Sequence, residues 1–407
     1  MRPMIDGHAA APLRDRDMLC FSHDWNGDPL SKTHLMRLLA RHNRVLWVNS
    51  IGYRAPTASR RDLARAARKV LAAASPLHQP EPNLHILNPL VIPAPSRSWA
   101  RSFNRWFLRQ QVLRAMRRLG FERPINWVFN PAAALTAGSL GEDLLVYYCV
   151  DEYGAFAGVH GESLRMMERE LLTRSDLVIT SSEQLWKAKR EYHPATVLVR
   201  HGVDWRHFRG ALDSDTQLPA DLSRIPRPIL GYFGLIAGDW VDLDLIAHTA
   251  RKLPHVSIVM LGRVTMDVSP LRGLRNVHLL GHRPYASLPG YCKGFDAAMI
   301  PFPISDVTLN SNPLKLREYL AAGLPVVSTA IPEVAATGAC RIGRDADDFV
   351  DQVRAALQSP GPSCALSDAV RHESWEARLA EISSHISTVA ARRRLSPFGP
   401  FADRRAA

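Results

Sequence analysis

The chain has 407 residues, 46% of them hydrophobic and 22% charged, with a formal net charge of +12 at pH 7. That length exceeds one compact core and predicts two domains, and the composition excludes a disordered or collagen-like chain. No apolar run reaches about 18 residues, so no membrane-spanning helix is expected.

In chain order, residues 1–17 carry acids and no apolar centre, and do not read as a secretory signal. Short, continuous apolar runs then predict strands at 18–22, 45–49, 84–87, 125–129, 144–149, 177–180 and 196–199, as in parallel strands buried on both faces. Helices are expected between them, at 31–42, 163–174 and 182–192, with Ser31, Ser163 and Ser182 as N-caps. From Arg54 to Arg123 there are 14 Lys+Arg against 3 Asp+Glu, so most of the net charge lies in one region and points to an anionic partner. There, Trp99, Phe103, Trp106, Phe107, Leu113 and Met116 recur at mostly three- or four-residue intervals beside an arginine stripe. Such a helix either packs its aromatics in the core or lies on a membrane surface through Arg97, Arg101, Arg105, Trp106 and Arg109. Residues 60–69 read as a second basic helix, and a lipid-linked acceptor at the cytoplasmic leaflet would suit both. No nucleic-acid motif accompanies the charge, so no nucleic acid is expected as a partner.

After a polar, proline-containing segment at 211–227, strands are predicted at 229–233, 256–261, 277–280, 297–300 and 325–328, and helices at 242–253, 313–322 and 345–358. Alternating elements in each half imply two Rossmann-like, doubly wound α/β domains, with ligand sites at the carboxyl ends of strands, facing a cleft. The expected bounds are 1–210 and 222–370, then a helix at 371–390 returning to the first domain and a tail, 391–407, without periodicity and expected to lack order. Five cysteines without a CxxC pair argue against a disulfide or zinc framework and fit a reducing cytoplasm.

Three stretches carry candidate chemistry. The first strand ends in Phe21-Ser-His-Asp-Trp-Asn-Gly-Asp-Pro29. There, Asn26 and Gly27 could let the backbone approach a phosphate or sugar, and His23 and Asp24 either contact an acceptor or cap the loop. Tyr147-Tyr-Cys-Val-Asp-Glu-Tyr153 ends another strand; Asp151 or Glu152 could orient an acceptor hydroxyl or act as a base, or cap the next helix. From Asn310 to Thr329 the chain reads as loop, helix, turn and strand. Asn312 is the expected N-cap, Pro313 the first helical residue and Gly323 the left-handed stop. The free N–H groups of Leu314 and Lys315, with the Lys315 charge, make an anion site suited to a diphosphate, and Glu318 one turn on could accept ribose hydroxyls.

This last stretch resembles the donor-sugar signature of GT-B glycosyltransferases related to family 4. In that signature a glutamate eight residues before a second glutamate precedes an Ala-x-x-Gly-x-Pro-Val turn. Glu318 matches the second glutamate, which holds the nucleotide ribose; Asn310 replaces the first with an uncharged amide, next to Ser311 in the donor loop. His201-Gly-Val-Asp-Trp-Arg-His-Phe208 is similar to the family's lobe-linking segment, Ile229-Leu-Gly-Tyr-Phe-Gly234 to the first strand and loop of its nucleotide lobe, and Val277 to Tyr285, with Arg283, to the segment flanking the base. His372 to Arg378 resembles the last helix. The family's cations after the first strand of the second lobe are missing between Gly234 and Asp242. Arg263, at the next strand end, either replaces part of that charge or is a salt-bridged rim residue. The resemblance implies a retaining transfer from a nucleotide-diphosphate sugar to a glycan or lipid-linked acceptor. No metal or cofactor is expected, since no DxD signature stands in a suggestive place; Asp213-Ser-Asp215 fits that spelling but lies in the linker. A sugar-nucleotide epimerase of the same architecture, or a non-catalytic nucleotide-sugar-binding protein, stays open.

Overall fold

The computed structural model describes residues 13–51, 76–92, 97–156, 159 and 161–395. The basic stretch 60–69, residues 1–12 and the end of the tail, 396–407, lie outside them. The chain divides into two units: residues 1–199 with 378–407, and residues 200–377.

The first unit is built on an eight-stranded sheet. Its strands are β1 (Asp17–Phe21), β2 (Arg44–Val48), β3 (Leu77–Glu81), β4 (Leu84–Leu87), β5 (Ile125–Val128), β6 (Leu144–Cys149), β7 (Leu177–Thr180) and β8 (Thr196–Leu198), in the order β3-β4-β2-β1-β5-β6-β7-β8. All neighbours are parallel except β3 and β4, and Met18 pairs with both Val45 and Ile125 in the central register. Because these central strands are covered on both faces, β5 and β6 are buried along their whole length, including Trp127, Tyr147 and Tyr148.

Helix α1 (Ser31–Ala40) starts one residue earlier than an N-cap serine would allow. Leu30 takes the cap position, and its N–H donates to the Thr33 hydroxyl at 3.3 Å, which leaves Ser31 as the first helical residue. Helix α2 (Ser98–Leu119) is followed by Gly120 in the left-handed region. Helix α3 (Gly161–Arg174) begins two residues before Ser163, so that serine is not its cap. In α4 (Glu183–Arg190) the Ser182 hydroxyl does cap, accepting from the Leu185 N–H at 3.2 Å. Helix α2 buries Ala100, Leu108, Val112, Ala115 and Met116 and leaves Trp99, Phe103 and Trp106 at 61%, 42% and 58% exposure, so these three aromatics are not core residues.

The second unit holds a six-stranded, all-parallel sheet: β9 (Ile229–Phe233), β10 (Ser257–Leu261), β11 (Val277–Gly281), β12 (Ala297–Ile300), β13 (Val326–Thr329) and β14 (Arg341–Gly343). The order β11-β10-β9-β12-β13-β14 reverses direction at β9 and β12, the switch point where open α/β sheets bind ligands beyond the strand carboxyl ends. Helices α5 (Leu243–Lys252) and α8 (Ala346–Leu357) are capped by Asp242 and Asp345, which accept N–H bonds of 2.9 and 2.8 Å. Between β12 and β13 lie α6 (Asp306–Leu309) and α7 (Leu314–Ala321). The last helix, α9 (Trp375–Leu395), has its body in the first unit, where Arg393 pairs with Asp176 at 2.8 Å.

Candidate functional site

At the carboxyl ends of β9 and β10 the loops are laced together. The Gly234 N–H donates to the Leu261 carbonyl at 2.8 Å, the Ile236 N–H to that of Arg263 at 3.0 Å, and the Thr265 N–H to that of Ile236 at 2.9 Å. Gly262 has φ +150°, and a Cβ there would lie 1.7 Å from the Gly234 carbonyl oxygen; no side chain fits. Lys315 rests on this bed, its Cε 2.3 Å from where a Gly234 Cβ would be and its Nζ 5.7 and 5.9 Å from the Tyr232 and Phe302 ring centroids.

The helix that carries Lys315 has a defined start and stop. Pro313, with φ −64° and ψ 120°, occupies the N-cap position, and the N–H groups of Leu314 and Lys315 have no partner among the described residues. At the other end the Gly323 N–H donates to Leu320 at 2.8 Å and the Leu324 N–H to Tyr319 at 2.9 Å, a left-handed stop at φ +80°. Asn312 does not cap. Its amide donates to Glu333 at 3.1 Å and accepts from the buried Arg317 at 2.7 Å, while Arg200 also pairs with Glu333, at 2.8 Å, and Arg317 with Glu373, at 2.5 Å. Bonds to these charged groups outweigh a neutral cap, and they anchor the loop before α7 from beneath.

Lys315 and Glu318 lie three residues apart, both half-buried, and neither side chain hydrogen-bonds within the described residues. Burial pushes the Lys315 ammonium down, opposed by Glu318. Burial pushes the Glu318 carboxyl up to about 7, opposed by Lys315. A half-buried cation and a half-buried carboxylate without partners among the described residues thus stand beside two free N–H groups.

The other donor-side candidates fall less centrally. Arg263 is exposed, and its guanidinium has no ion pair among the described residues, so it is not a salt-bridged rim residue. Arg283 is held by Asp221 and the Tyr291 hydroxyl, both at 2.6 Å. The Asn310 amide donates to the Asp306 carbonyl at 2.7 Å and the Ser311 hydroxyl to that of Thr308 at 2.9 Å, so both side chains also bond to α6.

In the first unit, burial and then the Lys32 charge lower His23 to about 3, so its imidazole is neutral; its Nδ1 lies 3.1 Å from the Ser22 hydroxyl. Asp24 accepts from the Ser50 N–H at 3.1 Å. Asn26 and Gly27 are exposed, and a Cβ on Gly27 would meet only the Asp24 carbonyl, at 3.6 Å, so the conformation does not demand glycine there. Glu152 is bound by Lys189 at 3.0 Å, and Lys189 also holds the buried Glu168 at 2.8 Å, which accepts from Tyr147 at 2.6 Å. Asp151 is outside that network; burial raises its carboxyl, opposed by Lys32. Lys32, on the first turn of α1 and 8% exposed, was not singled out in the sequence, where it is one polar residue on a helix. Along α2, Arg105 pairs with Glu170 at 3.2 Å and Arg109 donates to the Ser139 carbonyl at 2.9 Å. Among the described residues no cluster of His, Cys, Asp or Glu is placed to hold a metal, and no helix is long and apolar enough to cross a membrane.

Residues 227–359 match the family model described as Glycosyl transferases group 1. A Bacillus subtilis (strain 168) protein, "Putative teichuronic acid biosynthesis glycosyltransferase TuaH", is 27% identical over 235 residues; the match spans 52% of this chain and only 56% of that relative. Among solved structures, a sucrose-phosphate synthase from Thermosynechococcus elongatus superimposes with a TM-score of 0.66 at 14% identity, over 93% of this chain and 100% of that one. Anabaena HepE, in complex with UDP and glucose, gives 0.62 at 12% identity, over 92% and 100%. With two sheets dominated by parallel strands and solved structures of this architecture superimposing over more than nine-tenths of the chain, the chain has the GT-B fold, and its residues 227–359, which include Lys315 and Glu318, match the group 1 glycosyl transferases.

Proposed function

We propose that the chain transfers a sugar, with retention of configuration and without a metal, from a nucleoside-diphosphate sugar to a lipid-linked or growing surface glycan. The observation that carries this is the grouping of Lys315, Glu318 and the free Leu314 and Lys315 N–H groups at the start of α7, with Lys315 lying over Gly234. The helix start and the ammonium take the diphosphate, Glu318 accepts the ribose hydroxyls, and exposed Arg263 adds charge at the rim. As the bond from the sugar's anomeric carbon to the diphosphate oxygen breaks and the acceptor oxygen bonds to that carbon, negative charge grows on the leaving diphosphate, which takes the acceptor proton; the protein's task is to stabilise that charge. The TuaH name supports a place in surface-polysaccharide assembly. The exposed Trp99, Phe103 and Trp106, with Phe103 5.9 Å from Trp106, lie beside Arg97 and Arg101 and suit docking to an anionic cytoplasmic leaflet.

One experiment covers both parts. The chain is incubated with UDP- and GDP-sugars and lipid-linked acceptors, free and in vesicles with one quarter anionic lipid. Nucleotide release only with acceptor present is the expected result. Release of an epimerised sugar without acceptor, or binding without turnover across the panel, contradicts transfer. Vesicle flotation should be salt-sensitive and fall about tenfold in a Trp99→Ser/Phe103→Ser/Trp106→Ser variant, the loss of roughly 1.4 kcal/mol of apolar insertion; equal flotation contradicts docking.

A further inference from the structure

At the carboxyl ends of β1 and β6, three polar groups have no hydrogen-bond partner among the described residues. They are the Lys32 ammonium, the Asp151 carboxylate and His23 Nε2, the last fully shielded from solvent. Lys32 is only 8% exposed, yet it forms no ion pair with Asp151, although each feels the other's charge. A buried ammonium has three N–H bonds to satisfy, and a protein that buries one normally supplies acceptors. The same ammonium acts on Cys20 and His23, at the end of β1.

The start of α1 adds two further donors. Its first bonded N–H groups are those of Thr33 and His34, both to the Leu30 carbonyl, at 2.9 and 3.1 Å, so the Ser31 and Lys32 N–H groups are unused. The first turn carries no acid that would occupy them. Side chains of a helix lean toward its N-terminus, so the Lys32 ammonium and these N–H groups share one end of α1. An anion satisfies all of them. Asp151 is an acceptor only and suits hydroxyls.

We infer that this recess of the first unit binds an anionic sugar unit, with its phosphate or carboxylate on Lys32 and the α1 N–H groups and its hydroxyls on Asp151. Its role as the acceptor end rests on the proposed transfer, but the binding itself does not.

The test uses the full chain, without donor, titrated by calorimetry with glucose 6-phosphate, glucuronate, glucose and UDP. At least one anionic sugar should bind tenfold or more tightly than glucose, and the tighter of the two identifies the anion. Lys32→Met should abolish that preference, Lys32→Arg should keep part of it, and UDP affinity should stay within twofold in both. Asp151→Asn should weaken glucose 6-phosphate or glucuronate but leave inorganic phosphate unchanged. Equal binding of glucose and the anionic sugars overturns the inference, as does an unchanged preference in Lys32→Met. Loss of UDP binding in that variant also overturns it, by assigning Lys32 to the nucleotide. If Lys32→Met does not fold, Lys32→Arg and Asp151→Asn decide the matter. Anionic-sugar binding in a chain that transfers nothing refutes the proposed function and leaves this recess standing.

Discussion

Replacing Lys315 by methionine should weaken UDP binding about 10- to 100-fold at pH 7.5, the loss of one or two charge-assisted bonds of roughly 1.5–3 kcal/mol. Methionine keeps the packing against Gly234, Tyr232 and Phe302 and removes only the charge. Because burial works against the ammonium in the unliganded chain, the variant should melt no lower than the wild type. Lys315→Arg should not rescue binding, since a wider guanidinium has no room over Gly234, whose missing Cβ already lies within 2.3 Å of Cε. Calorimetric titration with UDP checks this, and affinity within twofold of wild type would count against the site.

Glu318→Gln should separate two pH effects. The Glu318 carboxyl is raised from its ordinary 4.5 to about 7. Between those values the folded chain holds a proton that the unfolded chain has released, so stability falls as pH rises through that window and is level above it. The glutamine variant lacks this loss; it should match the wild type at pH 4 and exceed it by about 1–3 kcal/mol at pH 8. Nucleotide binding runs the other way. Ribose hydroxyls donate best to the ionised carboxylate, so wild-type affinity should climb between pH 6 and 8, with a proton released on binding. The variant should show a flat profile and bind roughly tenfold more weakly at pH 8. Denaturation curves and calorimetry in buffers of different ionisation enthalpy measure both, and an unchanged pH profile in the variant would contradict the role.

The α/β layout was legible because parallel strands covered on both faces read as unbroken apolar runs. Two of the edge strands, β3 and β14, were not. Leu77–Glu81 contains His78, Gln79 and Pro80, and Arg341–Gly343 is three residues long, so neither shows an apolar run. Lys315 and Glu318 were readable because their relation is local, one turn of helix, whereas Gly234, Tyr232 and Phe302 reach Lys315 from distant strands. Caps followed the same divide. Ser182 caps as its local pattern predicts, but Asn312 was drawn to Arg317 and Glu333 by charges that no local pattern shows. Choosing between Asp151 and Glu152 required knowing that Lys189 and Glu168 lie beside the second and not the first. Arg283 looked available until Asp221, 62 positions earlier, was found holding it.

The central claim is that the second unit binds the nucleotide diphosphate at the start of α7. Backbone hydrogen exchange followed residue by residue, with and without UDP, tests it most directly. The unpaired Leu314 and Lys315 N–H groups should slow at least about tenfold, since each gains an acceptor. Ile236 and Thr265, which lace the two loops, should slow with them. Protection confined to the first unit, or none at α7 under saturating UDP, would contradict the account.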